Sequence, residues 1–249
     1  GEDCACSSYL RRFVLQEYSY PFDWLTKSDF NSRIELLLND FKGFLNKEDL
    51  YEIKKPENLN SDKHCRYYAD KKYDFYYFHD FAADKPFNEA YNEVKEKYER
   101  RITRMYERIK AADKVLFIWR ARGKTAIEEQ IIKESYNRLS EKFGADKIYL
   151  LIMEYSEKEE NIFLCGSHVL VSKNDYMSYT ASSAKAEVLG NIKNNNKIFS
   201  QIYKKRKPSW ILKYIIFKIQ KFLIGLIPVK SVRQKMREEL KFKFDRAKL

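Results

Sequence analysis

Residues 115–153 read VLFIWRARGKTAIEEQIIKESYNRLSEKFGADKIYLLIM, and this stretch decides the fold. Val115 to Trp119 and Lys147 to Met153 are short continuous apolar runs, the pattern of strands buried on both faces. Between them Thr125 and Glu128 have capping-box spacing and open a predicted helix through Phe143. Strand, helix and strand in that order argue for an α/β layered sheet, largely parallel.

The flanking sequence continues the alternation. Upstream, Phe87, Tyr91, Val94, Tyr98, Ile102, Met105 and Ile109 recur at three- and four-residue steps, which predicts a helix from Pro86 to Ala111. Tyr73 to Phe78 is an aromatic strand candidate ending at His79-Asp80, and Lys54 to Asp70 reads as a polar loop. Asp29 is a candidate N-cap for a helix through Phe44, and Cys6 to Leu15 suits a first helix. Downstream, Asn161 to Val171 holds two short strands around Gly166, and a helix over Ser183 to Ser200 closes the body. The expected architecture is a three-layer α/β domain over residues 1–203, a largely parallel sheet flanked by helices. A basic amphipathic helical tail follows over 204–249. Ligands of such sheets bind beyond the carboxyl ends of the strands, where His79-Asp80 and the run Arg120 to Lys124 are expected.

The net charge of +12 lies entirely in the tail, where 15 Lys/Arg meet 3 Asp/Glu; the rest of the chain carries 33 of each sign. A body of zero net charge lacks the phosphate-neutralising surface of a nucleic-acid binder, so no nucleic-acid partner is expected. Nineteen Tyr and 17 Phe against 7 Gly exclude linker-like or collagen-like character. The four cysteines (Cys4, Cys6, Cys65, Cys165) show no secreted disulfide spacing. No signal peptide is visible, and reduced thiols in a cytoplasm are the simpler expectation. Because the chain opens on Gly1 rather than Met, residues upstream of it are expected to be missing.

The segment from Pro208 to Pro228 places Ile211, Leu212, Ile215, Ile216, Ile219, Phe222, Leu223, Leu226 and Ile227 on one arc of a helical wheel. Lys213, Lys218, Gln220 and Lys221 lie opposite, and Trp210 stands at one end. Three lysines argue against a membrane span, and this pattern describes a helix lying in the interface plane. Lys204 to Lys207 precede it, and Lys230, Arg233 and Arg237 follow. An anionic membrane surface is the expected partner, with Trp210, Ile215, Phe222, Lys213, Lys221 and Arg233 among the binding residues and a peripheral place on the inner membrane. The plainer alternative is a helix packed on the body with its lysines solvated.

Possible chemistry gathers in Gly1-Glu2-Asp3-Cys4, Pro21-Phe22-Asp23-Trp24 and His79-Asp80. A nucleophilic thiol needs a base, and the base needs an orienting group. Cys4 precedes a predicted helix whose N-terminal dipole lowers a thiol pKa. His79 is the candidate base, with Asp23 or Asp80 to fix its tautomer. Any protein with a few Cys and His offers such a trio, so spacing alone is weak support.

Gly-x-x-Cys at the start, Leu10-Arg11, Ser19-Tyr20-Pro21-Phe22-Asp23-Trp24 and Phe78-His79-Asp80-Phe81 resemble the bacterial family catalogued as putative papain-like cysteine peptidases, a domain of unknown function. The resemblance is specific over about the first eighty residues and looser through Phe117-Ile118-Trp119-Arg120. It implies Cys4 as nucleophile, His79 as base and Asp23 or Asp80 as orienting acid. In the tail, Ile227-Pro228-Val229-Lys230-Ser231-x-Arg233 is similar to the C-terminal ends of bacterial glycosyltransferases that build lipopolysaccharide and capsule. That likeness implies work on a lipid-linked or surface glycan of the cell envelope.

The leading expectation is a membrane-associated, cysteine-dependent hydrolase or acyl-type transferase. A second is a transferase of surface-polysaccharide assembly, in which Arg120, Arg122 and Lys124 before a helix N-terminus hold a phosphorylated donor; a solvated loop is the equal alternative for those three. A third is a non-catalytic membrane adaptor. No cofactor is expected, and without a Cys-x-x-Cys pair no metal is either.

Overall fold

The Asp29 carboxylate accepts a hydrogen bond from the Ser32 amide at 2.6 Å and opens α1, Phe30–Leu38. The helix stops before Phe44 because the backbone turns left-handed at Asp40 and Phe41 (φ 58° and 59°). In this computed structural model, the residues described are 1–4, 6, 7, 10, 16, 18–54, 64–121, 126–174, 208–229, 231–233, 236, 237 and 240, without the side chains of 174, 208–211, 213 and 214. Helix α2 spans Phe87–Ala111 after Pro86 and buries Tyr91, Val94, Tyr98, Met105 and Ile109, the stripe read from the sequence. Helix α3 spans Glu129–Phe143 and ends at Gly144, whose φ of +107° suits only glycine. It begins later than the predicted capping box, with Glu128 at the N-cap; Thr125 lies outside the described residues. The buried Glu154 carboxylate meets the Ile127 amide there at 2.8 Å.

Strands β1 (Leu25–Lys27), β2 (Leu50–Ile53), β3 (Cys65–Asp70) and β4 (Phe75–Ala82) form an antiparallel sheet in the order β1-β4-β3-β2. Strands β5 (Val115–Arg120), β6 (Ile148–Tyr155), β7 (Glu160–Leu164) and β8 (Val169–Asn174) form a second, in the order β5-β6-β8-β7. There β5, β6 and β8 run parallel, and β7 is antiparallel to β8. The α/β class therefore stands, but two sheets, one antiparallel and one mixed, replace the single largely parallel sheet expected.

Connection length explains the difference. A parallel pair needs a crossover of a dozen or more residues, which α3 supplies between β5 and β6. Strands β3 and β4 are joined only by the turn from Lys71 to Asp74, so they must return antiparallel. The Asp70 carboxylate builds that turn by accepting from the amides of Lys72 (2.8 Å) and Tyr73 (2.9 Å). Two further expectations are corrected. The supposed loop from Lys54 to Asp70 contains β3, and the strand expected to end at Phe78 runs on to Ala82. His79 and Asp80 thus lie within β4, not beyond it.

Side chains alternate across β6. Ile148, Leu150 and Ile152 enter the main core with Val169, Val171, α1, α2 and α3, while Leu151 and Met153 face the other way with Leu170. On that second face they pack against Cys6 and Leu10 of the N-terminal segment. Each such fully buried aliphatic contributes roughly 1.5–3 kcal/mol. The helix expected over Ser183 to Ser200 lies outside the described residues.

The chain divides into two compact units, Gly1–Ile202 and Tyr203–Leu249. In the second, α4 spans Pro208–Gly225. Leu212, Ile215, Ile216, Ile219, Phe222, Leu223 and Leu226 are all exposed, and Phe222 is 68% accessible. Ile224, on the opposite side of this helix, is buried. Beyond Pro228 the chain folds back: the Arg233 guanidinium donates to the Ile227 carbonyl at 3.0 Å, and the Arg237 guanidinium lies beside Gly225. Among the described residues no helix is long and apolar enough to cross a membrane.

Candidate active site

The N-terminal segment is tied to both sheets. The Glu2 amide donates to the Arg120 carbonyl at 3.0 Å, at the end of β5, and the Glu2 carbonyl accepts from the Lys27 amide at 2.9 Å, at the end of β1. A Cβ on Gly1 would stand 2.9 Å from the Arg120 carbonyl oxygen, so the close approach to β5 requires glycine. The Asp3 carboxylate then pairs with the Arg120 guanidinium at 3.1 Å. Gly1 and Asp3 in the opening run thus have separate duties, close approach to β5 and anchoring on Arg120.

After Cys4 the backbone is helical at Cys6 and Ser7. Cys6 is buried on the outer face of the second sheet, and burial pushes its thiol above the ordinary range, which keeps it protonated. Cys4 is half-buried, and none of the four cysteines is in a disulfide. One turn beyond Cys4, Ser7 Oγ donates to Asp23 at 3.0 Å. The same carboxylate accepts from the Tyr20 amide at 2.7 Å and from the Gln16 side chain. Asp23 is therefore the acid that pins the N-terminal segment to the Pro21–Asp23 turn.

Next in sequence, Trp24 meets the His79 ring edge-on, with centroids 6.3 Å apart. His79 is exposed, and among the described residues it makes no hydrogen bond or ion pair. Asp80 points to the opposite face of β4, as adjacent strand residues must. Its carboxylate is 2.6 Å from Lys97 Nζ and accepts from Tyr98 Oη at 3.0 Å, both on α2. Asp80 is held by that helix, not by the imidazole beside it in sequence. Asp80→Asn is expected to lower stability by about 1.5–3 kcal/mol, the usual range for hydrogen bonds to a charged group, in chemical denaturation. The reactivity of Cys4 in the folded fraction should stay unchanged.

Arg120 is buried, and its guanidinium pairs with Asp3. Arg122 and Lys124, proposed with it from the sequence, lie outside the described residues. So do the side chains of Trp210 and Lys213, whereas Ile215, Phe222 and Lys221 are exposed on α4. His168 stacks on Tyr149 at 4.7 Å, and its Nδ1 donates to the Cys165 carbonyl at 3.2 Å, a satisfied strand-end histidine. Among the described residues no group of three His, Cys, Asp or Glu is arranged to hold a metal ion.

Sequence reasoning missed Arg33. It is 4% exposed, lies among the rings of Phe22, Phe75 and Trp119, and donates to the Lys27 carbonyl at 2.8 Å. Its place between Phe30 and Leu37 on the apolar face of α1 was the available signal.

Fold and site together define an α/β domain whose half-buried thiol sits on a segment pinned between two sheets. Residues 1–157 match the model of the family described as putative papain-like cysteine peptidase (DUF1796), and the chain belongs to that family. The match takes in Cys4, Asp23, His79 and Arg120 and stops short of the tail. No curated protein and no solved structure matches the chain.

Proposed function

We propose that the chain is a cysteine-dependent hydrolase or acyl-type transferase, with Cys4 as nucleophile and His79 as general base. The observation that carries this reading is the contrast between two neighbouring thiols within a cysteine-peptidase family domain. Cys6 is buried and protonated, while Cys4 is half-buried at the start of a helical segment. The Cys4 thiolate attacks an acyl carbonyl, and the tetrahedral adduct expels its leaving group, which takes a proton from the His79 imidazolium. Water, deprotonated by His79, then releases the acid from the thioester; an amine or hydroxyl of an acceptor in its place gives transfer. With Asp80 turned to α2, the edge contact with Trp24 is what steadies the imidazole. Thiol and base need to come within hydrogen-bond reach only in the complex with substrate, where catalytic hydrogen bonds often tighten.

The exposed apolar arc of α4, with Lys218 and Lys221 exposed beside it, supports a peripheral place on an anionic membrane. A lipid-linked or surface glycan bearing an acyl or amide group is the substrate class that fits such a placement. The reading of a transferase with a phosphorylated donor is weaker, since Arg120 is already paired with Asp3.

Site-resolved alkylation tests the thiol. Iodoacetamide should modify Cys4 well before Cys65 and Cys165 in the folded chain, and His79→Ala should erase that order. Equal rates at the three sites in the unmodified protein would overturn the assignment.

A further inference from the structure

Charge on α2 is segregated by face. With about 3.6 residues per turn, Lys97, Arg101, Arg104 and Arg108 share an arc of about 60°, and Glu89, Glu93, Glu96, Glu99 and Glu107 all lie outside it. Lys97 is neutralised by Asp80 at 2.6 Å. Among the described residues the three arginines make no ion pair. Arg104 and Arg108 lie over the one ring of Tyr18, at 5.2 and 4.8 Å from its centroid, and Arg101 lies over Tyr98 at 5.2 Å. Arg104 also donates to the Ser19 carbonyl at 3.5 Å, while Nη1 of Arg101 is buried without a hydrogen-bond partner.

The rings hold three guanidiniums in a row, although like charges three and four residues apart on a helix repel. A merely solvated face mixes the two signs, as Glu96, Glu99, Arg100, Glu107 and Lys110 do on the far side of α2. Carboxylates on the neighbouring elements are engaged: Asp80 by Lys97 and Tyr98, Asp23 by Ser7, Gln16 and the Tyr20 amide. The row touches the elements that carry the candidate site. Lys97 meets Asp80 on the strand of His79, and Arg104 meets Ser19 just before the Pro21–Asp23 turn. We propose that Arg101, Arg104 and Arg108 form a docking site for an acidic peptide segment of the substrate.

Charge and spacing choose the occupant. A guanidinium fork binds a carboxylate through two parallel hydrogen bonds, which a lysine cannot reproduce. The three arginines rise about 4.5 and 6 Å apart along the helix axis. An extended peptide with acidic residues at alternate positions sets its carboxylates roughly 6.5 Å apart on one face, within reach of such long side chains. A peptide, free or carried on a surface glycan, also brings the amide that the thiol chemistry requires. Nucleic acid fits less well, because the chain before the tail carries 33 charges of each sign. That the docked chain is a substrate rests on the hydrolase reading; that it binds does not.

The test is a titration of a fluorescein-labelled, alternating Glu-Ala peptide with the full chain, read by fluorescence anisotropy at low salt. The parent should bind, and R101Q/R104Q/R108Q should bind roughly tenfold more weakly. K213Q/K218Q/K221Q removes the same charge from the tail and should change the affinity by less than about twofold. No binding by the parent, no loss in the arginine variant, or an equal loss in both variants overturns the proposal. Polygalacturonate that binds more tightly than the peptide, and loses that affinity in the arginine variant, overturns the peptide in favour of an acidic glycan. Should the triple arginine variant fail to fold, the exposed Arg108 decides alone: R108Q should weaken binding about twofold, and an unchanged affinity overturns the site. Turnover plays no part in the reading, so an inert Cys4 would sink the hydrolase while leaving the docking site standing.

Discussion

Cys4→Ser is expected to lower kcat/KM on an activated acyl ester by roughly three orders of magnitude or more, with the melting temperature barely changed. The size follows from the role. A serine hydroxyl at the same place is far less acidic than a thiol, so an imidazole base draws far less nucleophile from it at neutral pH. The fold should tolerate the change, because the segment is anchored elsewhere: Glu2 on Arg120 and Lys27, Asp3 on Arg120, Ser7 on Asp23. Cys6→Ser is the matched control and should behave in the opposite way. It places a hydroxyl among Leu151, Met153 and Leu170, at a cost of about 1–3 kcal/mol in stability, while turnover per folded molecule persists. Rates and denaturation curves for both variants separate the two thiols. Substantial turnover by folded Cys4→Ser would show that the nucleophile lies elsewhere.

The second large effect concerns the tail. Replacing Lys213, Lys218 and Lys221 by Gln should weaken binding to vesicles containing phosphatidylserine by about 3 kcal/mol, on the order of a hundredfold, since each basic side chain near an anionic surface contributes about 1 kcal/mol. Binding to purely zwitterionic vesicles, driven by the arc from Leu212 to Leu226, should hardly change. Ile215→Ala with Phe222→Ala should weaken both kinds of binding, because roughly 25 cal/mol is lost for each Å² of apolar surface no longer buried. Co-sedimentation at low and high salt reads the two contributions separately, because salt screens only the first. An unmodified chain that binds neither kind of vesicle would leave the apolar arc for a protein partner.

The helices were legible because burial writes a three- and four-residue stripe into them: Phe87–Ala111 was read almost to the residue. The buried runs at β5 and β6 were equally plain. The sheet pairing was not, since direction is decided by connections. The turn from Lys71 to Asp74 has no glycine, and its signal was Asp70, whose carboxylate binds two amides ahead of it. His79-Asp80 seemed to close a strand because charge normally marks an end. Asp80 stays inside β4 because Lys97 and Tyr98 reach it from α2, a contact that no local pattern in the sequence announces. For the same reason the acid expected to serve the imidazole proved to serve a helix. Asp23, the other candidate, was found on Ser7, one turn from Cys4, and that link required the fold to be seen.

Everything said of catalysis depends on Cys4 forming a covalent bond to an acyl group, and trapping that bond tests it most directly. The full chain is mixed with p-nitrophenyl acetate, quenched in acid and mapped by tandem mass spectrometry, which separates Cys4 from Cys6 within one peptide. Acetyl is expected on Cys4, labile to neutral hydroxylamine as a thioester is, and appearing more slowly after His79→Ala. Acetyl absent from Cys4, or spread evenly over Cys65 and Cys165, would contradict it.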